Sequence, residues 1–430
     1  MKKVLIITYY WPPAGGPGVQ RWLKFVKYLR DFGWEPVVYT VDNPKYPIID
    51  NSLEKDIPEG IEVIKKSIIE PYTFASFITG QKDIDKIKGG FISSEEKQSL
   101  MKKLTTWVRG NFFIPDARKF WIEPSVKFLK NYLSQNNVDV VITTGPPHSL
   151  HLIGLKLKRL LDVKWIADFR DPWTNIDYYS KLKLTNWADL KHHRLEKDVI
   201  EESDKVLVVG KTMKDEFYML GGDKIHVIPN GFDVETAKKE SVDLDEKFSI
   251  SHIGSMNADR NPEMLWEALS ECINEQPEIA KHLQIKLAGM VSREVFDTLE
   301  FYELSKYVYH EKYLNHDDVI TFQKSSQLLL LVLNNTANAK GIVTGKFFEY
   351  LNAKRPILTI GPEDGDLAEI LKGTESGEIV DYGKKDKMKE LIMKYYSDFI
   401  NEELFVNSKN IEQYSRKNIT AKLAGIMNSL

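Results

Sequence analysis

Cysteine is almost absent from this sequence. Among 430 residues Cys272 is the single cysteine, so no internal disulfide can form, which is typical of proteins in a reducing compartment. An excess of charge is missing too, because the formal net charge is −3 and gives no basic field that would favour nucleic acid as a partner. No apolar run approaches the roughly 18 residues of a membrane-spanning helix. These absences favour a cytoplasmic globular protein.

The N-terminus begins like a signal peptide, with two lysines ahead of an apolar run. That run is too short and leads into Trp11, Pro12 and Pro13 instead of a cleavage site of small residues. We therefore expect residues 3–10 to form a first β-strand. The length of 430 residues and the hydrophobic content of 42% predict two or three domains with a sizeable core.

Strands, glycine-containing loops and helices alternate along the chain. A loop with Gly15 and Gly16 follows the first strand, and a helix over 19–31 and a strand over 35–41 come next. This βαβ order predicts an α/β fold with parallel sheets and helices on both faces. A polar run over 235–247 then separates a second series of the same plan. Because the first loop is not a GxGxxG sequence, an ordinary dinucleotide site is not indicated.

The most informative stretch follows an apolar run over 328–333. A loop bracketed by Gly341 and Gly345 leads there into a helix. The loop is expected to bring backbone N–H groups, a helix N-terminus and Lys346 to one place, a combination that attracts a phosphate group. Glu349 lies one turn into the helix, within reach of sugar hydroxyls. The alternative is an ordinary strand–loop–helix with a solvated lysine and a surface glutamate.

The end of a second predicted strand also suits a phosphate group. Gly254 follows a predicted strand over 248–253, and Arg260 precedes the next helix, so a guanidinium group and a helix N-terminus again suit a phosphate.

Polar residues also follow two strands of the first half. His148 comes after a predicted strand over 138–144 and near a helix N-terminus, which tends to keep the imidazole neutral and able to share a hydrogen bond with a substrate hydroxyl. The alternative is a structural histidine. Asp168, Arg170 and Asp171 follow the next strand and form either a positioning cluster or an internal ion-pair network.

Basic and aromatic residues are interleaved over 86–130. This segment has ten Lys or Arg residues and four Asp or Glu residues, a pattern that suits an anionic membrane surface. The alternative is a solvated helix pair with its own core face. Two Asp-x-Asp sequences, at 83–85 and 243–245, lie in polar helical or linker sequence, and we predict no metal site at either.

In their order and spacing these motifs resemble the GT-B-fold glycosyltransferases of glycosyltransferase family 4, over nearly the whole chain. The resemblance rests on the Tyr-Tyr-Trp-Pro-Pro-Ala-Gly-Gly loop at 9–16, Gly-Pro-Pro-His at 145–148, Ile-Pro-Asn-Gly-Phe-Asp at 228–233, and the loops at 254–260 and 341–349. It implies two Rossmann-like domains that face each other across a cleft. The first would cover 1–235, the second 236–411, and a C-terminal helix over about 412–430 would return to the first.

The resemblance also implies an activity. A nucleotide-sugar donor would be held mainly by the second domain and an acceptor by the first, with retention of anomeric configuration, no bound metal and no cofactor. The family's basic pair falls on Ser255, which is a departure, and on Arg260. Its E-x7-E motif places the second glutamate at Glu349 and the first at Gly341, where the carboxylate is absent. Lys346 could restore the charge lost at Ser255.

The candidate site residues follow from the strand-end motifs and from the family resemblance. The family's first-domain histidine near the sugar corresponds to His148, so the catalytic candidates are His148, Arg260, Lys346 and Glu349. We expect acceptor-side contacts from Asp168, Arg170 and Asp171. The groups expected to bind the donor diphosphate, whose negative charge grows as the glycosidic bond breaks, are Gly15, Gly16, Gly254, Ser255, Arg260, Thr344, Gly345 and Lys346.

The acceptor is expected to be a lipid-linked glycan or a surface polysaccharide precursor. The protein would then lie at the inner face of the cell membrane, with the 86–130 segment on the anionic surface. Two alternatives stay open at this point: a nucleotide-sugar epimerase of the same two-domain plan, and a non-catalytic nucleotide-sugar-binding subunit.

Overall fold

The structure is a computed structural model that describes residues 1–46, 48–69, 100–234, 242–314 and 316–430. The chain divides into two compact units. Unit 1 contains Met1–Asn230 and Arg416–Leu430, and unit 2 contains Gly231–Ser415. Part of the predicted linker, 235–241, and the Asp-x-Asp sequence at 83–85 lie outside the described residues, as does 86–99 of the basic segment.

Unit 1 is built on a seven-stranded sheet in which all neighbouring strands are parallel. The strand order is β3-β2-β1-β4-β5-β6-β7. The strands are β1 (Lys2–Ile7), β2 (Trp34–Val41), β3 (Glu62–Lys66), β4 (Val140–Gly145), β5 (Trp165–Phe169), β6 (Lys205–Val208) and β7 (Ile225–Val227).

Helices cover both faces of this sheet because the strands are apolar on both faces. In β1, Leu5 and Ile7 belong to one buried cluster, whereas Val4 and Ile6 belong to another, as the alternation of a strand requires. The helices of unit 1 are α1 (Pro17–Leu29), α2 (Leu100–Phe112), α3 (Ile122–Gln135), α4 (Ser149–Leu161), α5 (Asn186–Glu202), α6 (Lys211–Gly221) and, from the C-terminus, α14 (Arg416–Asn428).

The C-terminal helix α14 completes the second of these clusters. Its buried residues Ile419, Leu423 and Met427 join Trp22 and Val26 of α1 in one apolar core. Their spacing of four residues places them on one face of the helix, which explains why this segment packs in unit 1 although it follows unit 2 in the chain.

Unit 2 is built on a six-stranded parallel sheet with the order β10-β9-β8-β11-β12-β13. The strands are β8 (Phe248–Ile253), β9 (Leu283–Ala288), β10 (Val308–Glu311), β11 (Leu328–Val332), β12 (Ile357–Ile360) and β13 (Gly377–Val380). The helices are α7 (Glu263–Glu275), α8 (Ile279–His282), α9 (Arg293–Phe301), α10 (His316–Ser325), α11 (Gly345–Ala353), α12 (Asp366–Thr374) and α13 (Lys385–Ile400). Two parallel sheets covered by helices confirm the predicted α/β fold class.

Each sheet has one position where the strand order reverses. In unit 1 it lies between β1 and β4, and in unit 2 between β8 and β11. Connections leave such neighbouring strands in opposite directions, so a crevice opens at their carboxyl ends, where ligands of open α/β sheets bind. The loops after these four strands are the glycine-containing and polar loops singled out in the sequence.

Among the described residues, no helix combines the length and the apolarity that crossing a bilayer requires.

Candidate functional site

The crevice of unit 2 is shaped by Gly254, which directly follows β8. Its φ of 112° is a conformation that side chains rarely adopt. A Cβ atom at this position would lie 2.6 Å from the Nζ atom of Lys346. Glycine is therefore required both by the backbone and by the close approach of the lysine that the sequence analysis placed here.

The Lys346 ammonium rests on a buried histidine. Its Nζ atom lies 3.3 Å from Nε2 of His252, a residue of β8 that is 1% exposed. The Nδ1 atom of His252 lies 3.0 Å from the carbonyl oxygen of Leu330. Because a carbonyl only accepts, Nδ1 carries the proton and Nε2 accepts from the ammonium group. Burial, together with the nearby charge of Lys346, holds the pKa of His252 well below its ordinary value, so the ring is neutral.

The charge on Lys346 is electrostatically unfavourable in this place. Burial and the positive charge of Arg260 lower the pKa of its ammonium group to about 7, against the opposing effect of the Glu349 charge. Among the described residues, no ion pair joins Nζ to a carboxylate, and Glu349 acts on Lys346 only through its charge. A bound anion would supply the missing negative charge and raise the lysine pKa again.

Arg260 is fixed between the loops that follow β8 and β11. Its Nε atom donates to Oδ1 of Asn334 at 2.6 Å, and Nη1 lies 3.4 Å from the carbonyl oxygen of Ser255. The carbonyl oxygen of Asn334 in turn accepts from the hydroxyl group of Tyr382 at 2.8 Å. The guanidinium group is thus oriented by both strand ends, and Ser255 takes part through its backbone.

Helix α11 begins at the same crevice. Thr344 is its N-cap, and the Thr344 hydroxyl oxygen accepts from the backbone N–H of Phe347 at 3.4 Å. The N–H groups of Gly345 and Lys346 have no acceptor within the helix, so the positive end of the helix dipole adds to the two cations. Glu349 follows one turn later and lies 3.5 Å from the Nε2 atom of Gln323.

The loop after β1 in unit 1 holds the other two predicted diphosphate ligands. The N–H of Gly15 donates to the carbonyl oxygen of Ile48 at 2.9 Å, and a Cβ at Gly15 would lie 2.7 Å from the Ile48 side chain. Gly16 has a φ of 88° and precedes α1. These glycines make a tight turn at the strand-order reversal of unit 1, and their role at a phosphate stays a prediction.

His148 lies after β4, at the start of α4. Its imidazole is 6% exposed and stacks on the ring of Trp173, with centroids 4.8 Å apart and planes 7° from parallel. Both ring nitrogens lack a hydrogen-bond partner among the described residues. Burial, reinforced by the positive charges that His151, Arg170 and His192 can carry, lowers the pKa of His148 well below its ordinary value. The ring is a neutral imidazole.

Asp168 does not face a ligand. It is 0% exposed, and its carboxylate accepts from Nη2 of Arg21 at 2.8 Å, from Nε1 of Trp22 at 2.7 Å and from the hydroxyl of Thr144 at 2.9 Å. Both carboxylate oxygens thus have partners inside unit 1, and the expected acceptor-side role stays a prediction. The internal-network alternative describes this residue.

Arg170 is likewise turned to the backbone of unit 1, whereas Asp171 is exposed. The Arg170 guanidinium donates to the carbonyl oxygen of Gly18 at 2.9 Å and to that of Pro146. Arg170 therefore connects two loops, and of the three predicted acceptor-side residues Asp171 keeps its side chain at the surface.

The second Asp-x-Asp sequence is part of the framework of unit 2. Asp245 pairs with Nζ of the buried Lys286 at 2.7 Å. The described residues contain no group of three or more His, Cys, Asp or Glu side chains arranged to hold a metal ion.

Sequence reasoning missed residues that support the site without resembling a motif. His252, Asn334 and Trp173 orient Lys346, Arg260 and His148, respectively. A signal existed for His252, since it is the one titratable residue of the strand that ends directly before Gly254. Asn334 is the first polar residue after the apolar run at 328–333.

The comparisons with known proteins agree with this geometry. Residues 91–236 match the model of Glycosyltransferase Family 4. No protein with a curated function matches the chain in sequence.

Solved structures share the fold over the whole chain. Sucrose-phosphate synthase from Thermosynechococcus elongatus is 12% identical with a TM-score of 0.62, over 100% of this chain and 99% of that one. A variant of S. aureus TarM in complex with fondaparinux, alpha-GlcNAc-glycerol and UDP is 11% identical with a TM-score of 0.62, over 100% of both chains.

A third structure is WaaG, a glycosyltransferase involved in lipopolysaccharide biosynthesis. It is 12% identical with a TM-score of 0.52, over 99% of this chain and 95% of that one. The match over residues 91–236 and the shared fold confirm the resemblance of this chain to the GT-B-fold glycosyltransferases of glycosyltransferase family 4.

Proposed function

We propose that this protein is a glycosyltransferase that moves a sugar from a nucleoside-diphosphate sugar to a glycan or lipid-linked acceptor, with retention of configuration and without a metal ion or cofactor. The observation that carries the proposal is the cluster of Arg260, Lys346 and the N-terminus of α11 around Gly254. These groups are all positive, and they converge on the crevice where ligands of such sheets bind.

The cluster suits a leaving diphosphate. When the bond between the sugar and the β-phosphate breaks, negative charge builds up on the phosphate oxygens. Two fixed cations and two backbone N–H groups can stabilise that charge, as a divalent cation does in other enzymes. Because Lys346 and Arg260 repel each other in the free protein, part of the binding energy of the diphosphate comes from relieving that repulsion.

The departures from the family pattern have a consistent reading. Ser255 lacks the family's first basic side chain, and Lys346 provides a cation across the crevice at the start of α11. The positive charge that the family has after β8 is therefore provided here by the start of α11. Glu349 keeps a carboxylate one turn into α11, where it is assigned to the sugar hydroxyls.

His148 is assigned to the acceptor and sugar side. A neutral imidazole with unpaired nitrogens can both donate to and accept from a hydroxyl group. Asp171 is the remaining acceptor-side candidate. UDP and alpha-GlcNAc-glycerol in the TarM complex support a nucleotide donor and a glycan product in a protein of this fold. WaaG supports an acceptor from a surface glycolipid or polysaccharide.

Calorimetric titration with UDP, GDP and ADP tests the proposed site. One nucleotide should bind best, and Lys346→Met should weaken it about 10- to 100-fold, because a charge-assisted contact is worth about 1.5–3 kcal/mol. Arg260→Met should act in the same direction.

Lys340→Met is the matched control, since Lys340 lies in the same loop but pairs with Asp364 on the surface at 2.6 Å. Unchanged affinity is expected for this control. Normal affinity in both Lys346→Met and Arg260→Met would remove the diphosphate site.

The reaction itself is tested with the sugar nucleotide selected by that titration. We expect release of the nucleoside diphosphate in the presence of EDTA at the rate measured without it, and a product of the same anomeric configuration as the donor by proton NMR. Loss of activity in EDTA that added Mg²⁺ or Mn²⁺ restores would contradict metal independence, and an inverted product would contradict retention.

We also propose peripheral binding at the inner face of the cell membrane through a basic-aromatic surface of unit 1. This surface combines α2, the turn after it and the start of α5. It consists of Trp107, Phe112, Lys119, Phe120, Trp187, Leu190 and Lys191.

Several contacts make this surface continuous. Nζ of Lys119 donates to the carbonyl oxygen of Phe112 at 2.7 Å and lies 5.3 Å from the ring centre of Phe120. Nζ of Lys191 lies 4.8 Å from the Trp187 ring. Burial lowers the pKa of Lys119, and the positive charge of Lys191 lowers it as well, so the two ammonium groups repel each other.

The composition of the surface fits anionic lipid. Trp187 and Leu190 are 63% and 70% exposed, so large apolar side chains stand beside cations that repel each other. Anionic headgroups would relieve that repulsion, and the exposed rings suit the interface region of a bilayer.

Vesicle co-sedimentation tests this surface. Binding to vesicles with anionic lipid should exceed binding to neutral vesicles, and Lys119→Glu combined with Lys191→Glu should abolish the difference. Lys127→Glu combined with Lys130→Glu is the matched control, because both lysines are exposed on α3 in the same basic segment. Equal loss in both double variants would indicate a net-charge effect and contradict the assignment.

A further inference from the structure

The segment from Asp168 to Trp173, which begins in the last two residues of β5, is not explained by contacts with a donor or an acceptor. Instead, three of its side chains hold the chain around His148. Asp168 accepts from the hydroxyl of Thr144 at 2.9 Å, four residues before the histidine. Because Arg21 and Trp22 saturate the same carboxylate, the end of β4 is fixed to α1.

Arg170 fixes the turn between β4 and His148. Its backbone N–H donates to the carbonyl oxygen of Gly145 at 3.0 Å, and its guanidinium donates to the carbonyl oxygen of Pro146. The other arm of the guanidinium reaches Gly18 in the loop after β1. The backbone that carries His148 is therefore held from both sides.

Trp173 contacts the His148 ring itself. The two rings are stacked, and the tryptophan plane is fixed in turn, because its Nε1 donates to Nδ1 of His192 at 3.0 Å. The Glu196 carboxylate accepts from the backbone N–H groups of Trp173 and Thr174, both at 3.1 Å. His192 and Glu196 of α5 thus fix the orientation of the Trp173 ring, which stacks on His148.

The stack has a specific geometric consequence. Parallel rings leave the edge of the imidazole uncovered by the indole, and both edge nitrogens lack partners among the described residues. A polar group that is buried without a partner is unfavourable. A substrate hydroxyl placed at that edge would provide the missing hydrogen bond.

We propose that Trp173, held by His192 and Glu196, is a positioning residue that fixes the plane of His148 and thereby the direction in which its unpaired nitrogens meet a substrate hydroxyl. The inference rests on the proposed role of His148 in transfer. Trp173 itself does not touch the reacting atoms.

The protonation of His148 provides a readout that a merely structural residue would not change. The groups that face it are His151 on its own helix, Arg170 after β5 and His192 on α5, and each lowers its pKa when charged, in addition to burial. Replacing Trp173 with a smaller side chain would admit water, so the His148 pKa would rise toward the ordinary value of 6.5.

The experiment compares Trp173→Leu with Trp173→Phe in the full chain. The His148 pKa is measured by NMR on protein with labelled histidine, with His148→Gln to assign the signal. Slow hydrolysis of the sugar nucleotide is followed from pH 5.5 to 8. For Trp173→Leu we expect a raised His148 pKa, and a kcat that falls on the acid side with an unchanged KM for the donor. Trp173→Phe keeps an aromatic plane, so its His148 pKa and its kcat on the acid side should stay close to those of the natural protein.

Trp34→Leu controls for a loss of packing, because Trp34 is a buried tryptophan of the same unit that lies in a different apolar cluster from Trp173. It should lower thermal stability without moving the His148 pKa. An unchanged His148 pKa in Trp173→Leu, or equal effects of Leu and Phe, would overturn the inference.

Failure of the underlying function looks different. If His148→Gln hydrolyses the donor at the normal rate, the catalytic role of His148 is wrong, whatever the Trp173 variants show. If His148→Gln is slow and Trp173→Leu is normal in rate and in His148 pKa, the role of His148 survives and the positioning role of Trp173 does not.

Discussion

The site of unit 2 depends on one constraint: a lysine ammonium group is held where water cannot fully solvate it and where another cation repels it. Lys346 is seated on the neutral ring of His252 and above the Cα of Gly254, with Arg260 nearby. The fold maintains this unfavourable charge by packing, because the next two residues of the helix, Phe347 and Phe348, are fully buried and hold it in place. A site of this kind gains most from an anion, which is the physical basis of the proposed diphosphate role.

At the strand-order reversal of its own sheet, unit 1 has a neutral side chain where unit 2 has cations. Where strand order reverses between β1 and β4, the structure places a neutral imidazole whose two buried ring nitrogens have no partner among the described residues. The nearby charged groups form hydrogen bonds inside unit 1. The Asp168 carboxylate accepts from Arg21, and the Arg170 guanidinium donates to the carbonyl oxygen of Gly18. One unit therefore presents concentrated positive charge and the other a neutral donor and acceptor, a division that suits charge stabilisation and hydroxyl recognition, respectively.

Much of this arrangement could be predicted from local sequence. The alternation of strands with glycine-containing loops gave the α/β fold, and the neighbourhood of Gly254 and Lys346 followed from the rule that parallel strands share a carboxyl edge. The inward orientation of Asp168 could not be predicted, because its partners Arg21 and Trp22 lie almost 150 residues earlier. The contact between His252 and Lys346 could not be predicted for a related reason. The two residues are 94 positions apart, and the sequence around a histidine in a strand does not indicate which side chain it contacts.

The most direct test of the central claim is the number of protons taken up when the preferred nucleoside diphosphate binds. At pH 8 an ammonium group with a pKa of about 7 is mostly neutral in the free protein, and a bound diphosphate should restore its charge, so uptake of about 0.9 proton is expected. Calorimetry in two buffers of different ionisation enthalpy measures it. The account predicts this uptake in the natural protein and its absence in Lys346→Met; no uptake in the natural protein, or equal uptake in both, would contradict it.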